Sequence, residues 1–140
     1  MTFDQKETGL LKDMKTQEEL CVEKYGQYAA AATDSELKNL FTSIRSTEQK
    51  HLTTVTGYLG ENSPLQTAPV PQSAGAVAAG DDKLLCQDML TMEKHVSSLY
   101  DVSIFEFKDP AVRQTLNRIQ SDEQKHGEQI YQYMAKHGMY

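Results

Sequence analysis

Apolar residues recur along this chain in steps of three and four, in four runs separated by polar or small-residue breaks. The first run, about 5–32, carries Leu11, Met14, Cys21, Tyr25, Tyr28 and Ala32. The second, about 35–59, carries Leu37, Phe41, Ile44, Val55 and Tyr58. The third, about 82–107, has Cys86, Met89, Val96, Tyr100 and Phe107, and the fourth, about 110–136, has Val112, Leu116, Ile119, Ile130 and Tyr133. A stripe of that period lies on one face of an α-helix and needs a neighbouring surface to cover it. Two-residue alternation is nearly absent, so the pattern predicts an all-α fold of four core-facing helices. The ends are punctuated to match. Asp109 stands as an N-cap before Pro110 at the first helical position, Asp34 takes the equivalent slot in the first half, and Gly60 and Gly138 are placed to close the second and fourth helices.

The halves repeat each other at an offset of 75 residues. TEQKH at 47–51 matches DEQKH at 122–126, and Glu18 matches Glu93. Aligned without gaps, 13–51 and 88–126 share 12 of 39 residues, among them Tyr25/Tyr100 and Ile44/Ile119. Each half therefore reads as a helical hairpin, about 5–59 and about 82–137, turning near Thr33–Asp34 or Lys108–Asp109. Glu18 and Glu48 are each 15 residues from position 33, and Glu93 and Glu123 are each 15 from position 108. Antiparallel packing then sets each Glu pair at one height, near mid-helix. A pseudo-two-fold that brings both pairs together makes the first and third helices antiparallel, so the link between the halves must run the length of the bundle. Helices of this size are roughly 40 Å long at about 1.5 Å per residue. The connector, about 60–81 and rich in Pro, Ala and Gly, spans roughly 65 Å when extended. One such crossover gives a ferritin-like four-helix bundle, with residues 1–140 as a single domain.

Six polar residues interrupt the apolar stripes. Glu18 lies on the seam of Met14, Cys21 and Tyr25; Glu48 and His51 fall between Ile44 and Val55; Glu93 falls between Met89 and Val96; Glu123 and His126 fall between Ile119 and Ile130. Burying four carboxylates uncompensated is prohibitive. Two divalent cations would balance four negative charges, and two neutral imidazoles would complete their shells. Residues i and i+3 share a helix face, so the Glu and His of each Glu-x-x-His reach one ion. Mixed oxygen and nitrogen donors with open positions suit iron or manganese, with zinc as a possible substitute. With 11 Glu and 4 His, about 0.3 such pairs arise by chance, so one alone is weak evidence. Two at one offset, each with a partner glutamate on a seam, are far more specific.

Other candidates carry less. Tyr25 and Tyr100, seven residues after Glu18 and Glu93, are placed to hydrogen-bond the ligands or relay electrons; filling the core with a satisfied hydroxyl is an equal alternative. Asp122 could orient an imidazole, but its repeat counterpart is Thr47, and it reads as a solvated residue. His95, His137, Glu19, Glu23, Glu106 and Glu128 lie off the seams and read as surface groups. Cys21 and Cys86, in no zinc-type spacing, read as small buried apolar residues and imply cytoplasmic synthesis.

Charge narrows the function classes. A formal net charge of −6 disfavours nonspecific binding to nucleic acid or to an anionic membrane surface. No apolar run approaches the roughly 18 residues of a membrane span, and the polar, periodic N-terminus does not read as a secretory signal.

The ligand pattern resembles the ferritin-like di-iron carboxylate proteins, among them bacterioferritins, rubrerythrins and manganese catalases. That resemblance implies that Glu48 and Glu123 bridge two metal ions and that Glu18 and Glu93 are terminal ligands. LLKDMKTQEELCVEKY and KDPAVRQTLNRIQSDEQKHGEQIYQYMAKHGMY more closely resemble the spore coat protein F family. This implies synthesis during sporulation, deposition in the spore coat and other coat proteins as partners, and ferritin-like relatives suggest a homodimer. No fifth helix follows Tyr140 and no haem-ligating methionine can be assigned, so an iron-storage shell is not expected.

Three functions follow as expectations. The first is a coat protein with a dinuclear iron or manganese site that reacts with peroxide or oxygen, an oxidoreductase of peroxidase, catalase or ferroxidase type. The second is a structural coat component in which metal only stabilises the bundle. The third is a metal-free interaction module.

Overall fold

The computed structural model describes residues 2–61 and 81–140. Four helices account for most of them: α1 (Gln5–Ala31), α2 (Ser35–Tyr58), α3 (Asp82–Ile104) and α4 (Pro110–Lys136), with no strand among the described residues. The connector expected at about 60–81 lies almost wholly outside them.

Local chemistry sets the helix ends where the punctuation implies. Asp4, Asp34, Asp81 and Asp109 each cap a helix by accepting a backbone N–H of its first turn, and Asp4 forms a reciprocal capping box with Glu7. Gly60 and Gly138 take positive φ, 74° and 70°. Each opens a closing pair of bonds, Gly60 N–H to Gly57 and Glu61 N–H to Thr56, and Gly138 N–H to Ala135 and Met139 N–H to Met134. That is the Schellman arrangement, which a side-chain-bearing residue enters only with strain. One boundary differs from expectation. α3 ends at Ile104 rather than near 107, because Glu106 and Phe107 donate back to Ser103 and Ile104 in a tightened last turn. The chain then leaves the helix and turns Phe107 into the core.

The contacts between helices define the packing. Arg45 Nε donates to the Val22 carbonyl and Lys38 Nζ to those of Ala29 and Ala30, while Lys15 meets Glu61, so α1 and α2 are antiparallel neighbours. Lys24 with Asp88, Thr33 with Asp82 and Lys108 with Glu7 make α1 and α3 antiparallel as well. Lys136 with Glu36 and Tyr133 with Asp34 do the same for α2 and α4. Gln120 Nε2 donates to the Ser97 carbonyl and ties α3 to α4. The end of α2 therefore lies beside the start of α1, at the opposite end from the start of α3.

The core is one continuous cluster drawn from all four stripes. Every residue predicted for the α3 and α4 seams is buried; Tyr28 and Tyr58 are the exceptions elsewhere, half-buried with their rings against the cluster. Fully burying a side chain of the size of Leu or Phe contributes about 1.5–3 kcal/mol, so this cluster is the main stabilising term against which the cost of polar burial must be set.

Candidate metal centre

The six polar residues on the seams all reach the interior. Glu18 and Glu48 are fully buried, and Glu93, Glu123, His51 and His126 are no more than 4% exposed. Each of the four helices delivers one glutamate, and α2 and α4 add a histidine one turn on. The donors fall into two groups, each with its ligand atoms within 4.8 Å of one another: Glu18, Glu48, His51 and Glu123, and Glu48, Glu93, Glu123 and His126. Glu48 and Glu123 belong to both.

The geometry around the two rings is similar but not equal. His51 Nδ1 lies 2.9 Å from Glu48 Oε1, 2.9 Å from Glu123 Oε1 and 3.8 Å from Glu18 Oε2. His126 Nδ1 lies 3.4 Å from Glu93 Oε1, 3.6 Å from Glu48 Oε1 and 3.8 Å from Glu123 Oε2, and has no hydrogen-bond partner. One imidazole nitrogen carries at most one proton, so it cannot bond three carboxylates at once. Donors about 2.1 Å from a common ion stand roughly 3.0–3.4 Å apart at right or tetrahedral angles. The observed separations bracket that range.

Electrostatics asks for positive charge here. Burial pushes the pKa values of Glu18 and Glu123 well above the ordinary carboxylate range. Burial also raises Glu48, to about 8, against the opposing hydrogen bond from His51. Burial acts on Glu93 in the same sense, but the neighbouring Glu123 carboxyl, the His126 ring and the Tyr25 hydroxyl outweigh it and leave that carboxyl below its usual value. Desolvation disfavours the His51 imidazolium, yet Glu123, Glu48 and Glu18 overcome it and raise the ring to about 11. Protons thus do the neutralising when nothing else does. Five carboxylate oxygens, at least one from each glutamate, and His126 Nδ1 have no hydrogen-bond partner. Orphaned donors of this density are costly unless they converge on a cation. The donor set fits two divalent ions in number, charge and chemistry.

The supporting groups are more ordered than the sequence required. Tyr25 on α1 donates to Glu93 on α3, and Tyr100 on α3 donates to Glu18 on α1 at 2.9 Å. Both hydroxyls are therefore tied to ligand glutamates of the other hairpin, rather than merely satisfied within the core. Asp122, whose side chain is 38% exposed, also takes the role that the sequence reading set second: its Oδ2 stands 2.9 Å from His51 Nε2. The signal in the sequence was its position next to Glu123, but only the approach of α2 to α4 gives it a partner. Glu7 and Asp82 were missed. Glu7 is 4% and Asp82 9% exposed, and each accepts from the backbone of the opposite hairpin's turn, Glu7 from Lys108 N–H and Asp82 from Thr33 and Asp34 N–H. They, too, are separated by the repeat offset.

The off-seam groups lie as expected. Glu19, Glu23, His95, Glu106, Glu128 and His137 are exposed, and both cysteines are buried and free. Cys21 is one turn from Glu18, where burial and the surrounding glutamates suppress its thiolate. A third grouping, Asp34, Glu36 and His137, sits at the exposed end of the bundle with Lys136 already on Glu36. Between α2 and α4, a cleft of about 540 Å³ lined by Lys50, Thr54, Arg118 and Lys125 has His51 and Asp122 in its wall.

Residues 81–140 match the Coat F domain. The Coat F domain is a spore coat domain, and the location it gives for the protein is the spore coat. The match covers α3 and α4 with Glu93, Asp122, Glu123 and His126, so the half that resembles spore coat protein F also carries half of the buried donor set. None of the described helices is long and apolar enough to cross a membrane. No curated protein and no solved structure matches the chain.

Proposed function

We propose that this protein is a spore coat component built as a ferritin-like bundle of two repeated hairpins, joined by a long crossover at about 60–81 within one domain, and that it binds two metal ions. Its strongest support is that Glu48 and Glu123 belong to both donor groups while every other ligand belongs to one. That is the connectivity of two bridging glutamates, with Glu18 and His51 completing one ion's shell and Glu93 and His126 the other's. Iron or manganese is the natural occupant of this oxygen-rich, nitrogen-poor set, and zinc a substitute.

A redox-active pair held here would supply electrons to peroxide or oxygen. The chain's own groups would do the rest. Tyr100 and Tyr25 hold the terminal carboxylates Glu18 and Glu93 in place, leaving one oxygen of each directed at the ions. Asp122 fixes the ring orientation of His51. The surrounding apolar core excludes bulk water, and the cleft beside His51 supplies an approach for a small oxidant.

Elemental analysis after expression with added iron or manganese tests the metal, with about two ions per chain expected. Bare traces would leave only an interaction module built on the bundle's surface. Peroxide consumption and oxygen-dependent iron oxidation by the loaded protein test the oxidoreductase. If neither occurs, and Glu48→Ala alters thermal stability alone, the metal is structural. Other coat proteins are the partners this location supplies, and sedimentation of the purified chain tests the homodimer.

A further inference from the structure

We propose that the two metal positions are unequal, that the His51 position fills first, and that Asp122 is the positioning residue responsible. The inference rests on the metal-binding reading above. The 75-residue repeat maps His51 onto His126 and would map Asp122 onto Thr47. It therefore gives both rings the same carboxylate neighbours and only one of them a carboxylate behind it. His51 Nε2 is held at 2.9 Å by Asp122 Oδ2. Among the described residues, the carboxylates within 4.0 Å of the His126 ring all face Nδ1, which is buried and orphaned, and none stands behind Nε2.

The chemical consequence follows from the tautomer. A carboxylate facing Nε2 keeps a proton on that nitrogen, so the proton a metal ion displaces is the one on Nδ1, and the lone pair left there lies on the side of the glutamates. It also fixes the ring plane and raises the basicity of Nδ1. Loss of such a partner typically costs 10–100-fold in metal affinity. His126 must find its tautomer and orientation unaided. The distances agree with this difference: two glutamate oxygens stand 2.9 Å from His51 Nδ1, and none is nearer than 3.4 Å to His126 Nδ1. The chain-wide repeat makes the comparison internal, because the ligands are matched and the residue behind the ring is not.

The test is stepwise binding of Mn(II) to the metal-free full chain, followed by native mass spectrometry to count ions and by the electron paramagnetic resonance signal of isolated Mn(II). At one equivalent, singly loaded protein should dominate. His51→Ala should weaken the first binding step far more than His126→Ala does. Asp122→Asn should weaken the first step about 10–100-fold and spare the second. Thr47→Asp places the missing carboxylate behind His126 and should tighten the second step. Circular dichroism of each metal-free variant confirms that it is folded, and Thr47→Asp keeps the idea testable if Asp122→Asn does not fold. Equal weakening by the two histidine variants, or a first step untouched by Asp122→Asn, overturns the inequality while leaving the dinuclear site standing. A wild-type chain that takes up no Mn(II), Fe(II) or Zn(II) overturns the metal reading itself.

Discussion

Glu18 keeps one oxygen on the Tyr100 hydroxyl and leaves the other without a partner. A buried carboxylate deprived of its remaining hydrogen bond bears a desolvation cost that nothing nearby offsets. Tyr100→Phe should therefore destabilise the metal-free protein by about 1–3 kcal/mol, and Tyr25→Phe should do the same through Glu93. Urea unfolding of both variants checks this, and wild-type midpoints would mean that the hydroxyls only fill space. Protonation is the second residue-scale expectation. Glu48 titrates near 8 and His51 near 11, so both hold protons at pH 7 that metal must displace. Loading at pH 7 should release protons, and apparent affinity should rise with pH. A weakly buffered indicator titration measures both. The sign for the metal-free protein is opposite. Both groups have folded pKa values raised above 4.5 and 6.5, so the stability they contribute is fully present below those values and is lost as pH climbs through about 8 and about 11. These buried polar residues were legible in the sequence because a charged residue on an apolar stripe is anomalous wherever it occurs. Asp122 was not, since its role depends on a distance across two helices.

At the scale of elements, the repeat is deeper than its identities. Arg45 Nε reaches the Val22 carbonyl and Gln120 Nε2 reaches the Ser97 carbonyl, an equivalent bond made by different residue types 75 positions on. Glu7 and Asp82 form a similar pair, each tying the start of one hairpin to the turn of the other. Asp82 accepts two backbone N–H groups and the Thr33 hydroxyl, whereas Glu7 takes one such N–H from Lys108 and another from Asp4. Asp82→Ala should cost about 2–3 kcal/mol and Glu7→Ala about 1–2 kcal/mol, because each leaves partly buried backbone donors unmatched. Thermal denaturation of the two variants gives the order, and an Asp82→Ala protein as stable as wild type would show that water replaces the carboxylate. Neither residue stood out beforehand. A carboxylate near a helix start already has a local explanation, and its long-range partner becomes visible only when the hairpins pack.

For the whole molecule, four buried glutamates make stability conditional on what neutralises them. Metal present at about 100 times its dissociation constant adds about 2.7 kcal/mol, which for a chain of this size raises the melting temperature by roughly 5–10 °C. Chelation should reverse that shift in differential scanning fluorimetry, and Glu48→Gln should remove the response to metal while leaving a folded chain. A melting temperature indifferent to chelator would mean that protons alone balance the core. The sequence by itself determined the four helices, the Asp34 and Asp109 caps, the seam residues and the six polar residues buried among them, because helical period and capping are local properties and the repeat reports itself by identity. Tertiary structure alone decided that each tyrosine serves the opposite hairpin and that His51 has a carboxylate behind it while His126 has none, and it gave distances to the shared position of Glu48 and Glu123 that resemblance had only implied. Those are distances between helices, fixed by how the apolar stripes interlock rather than by the order of residues along any one of them.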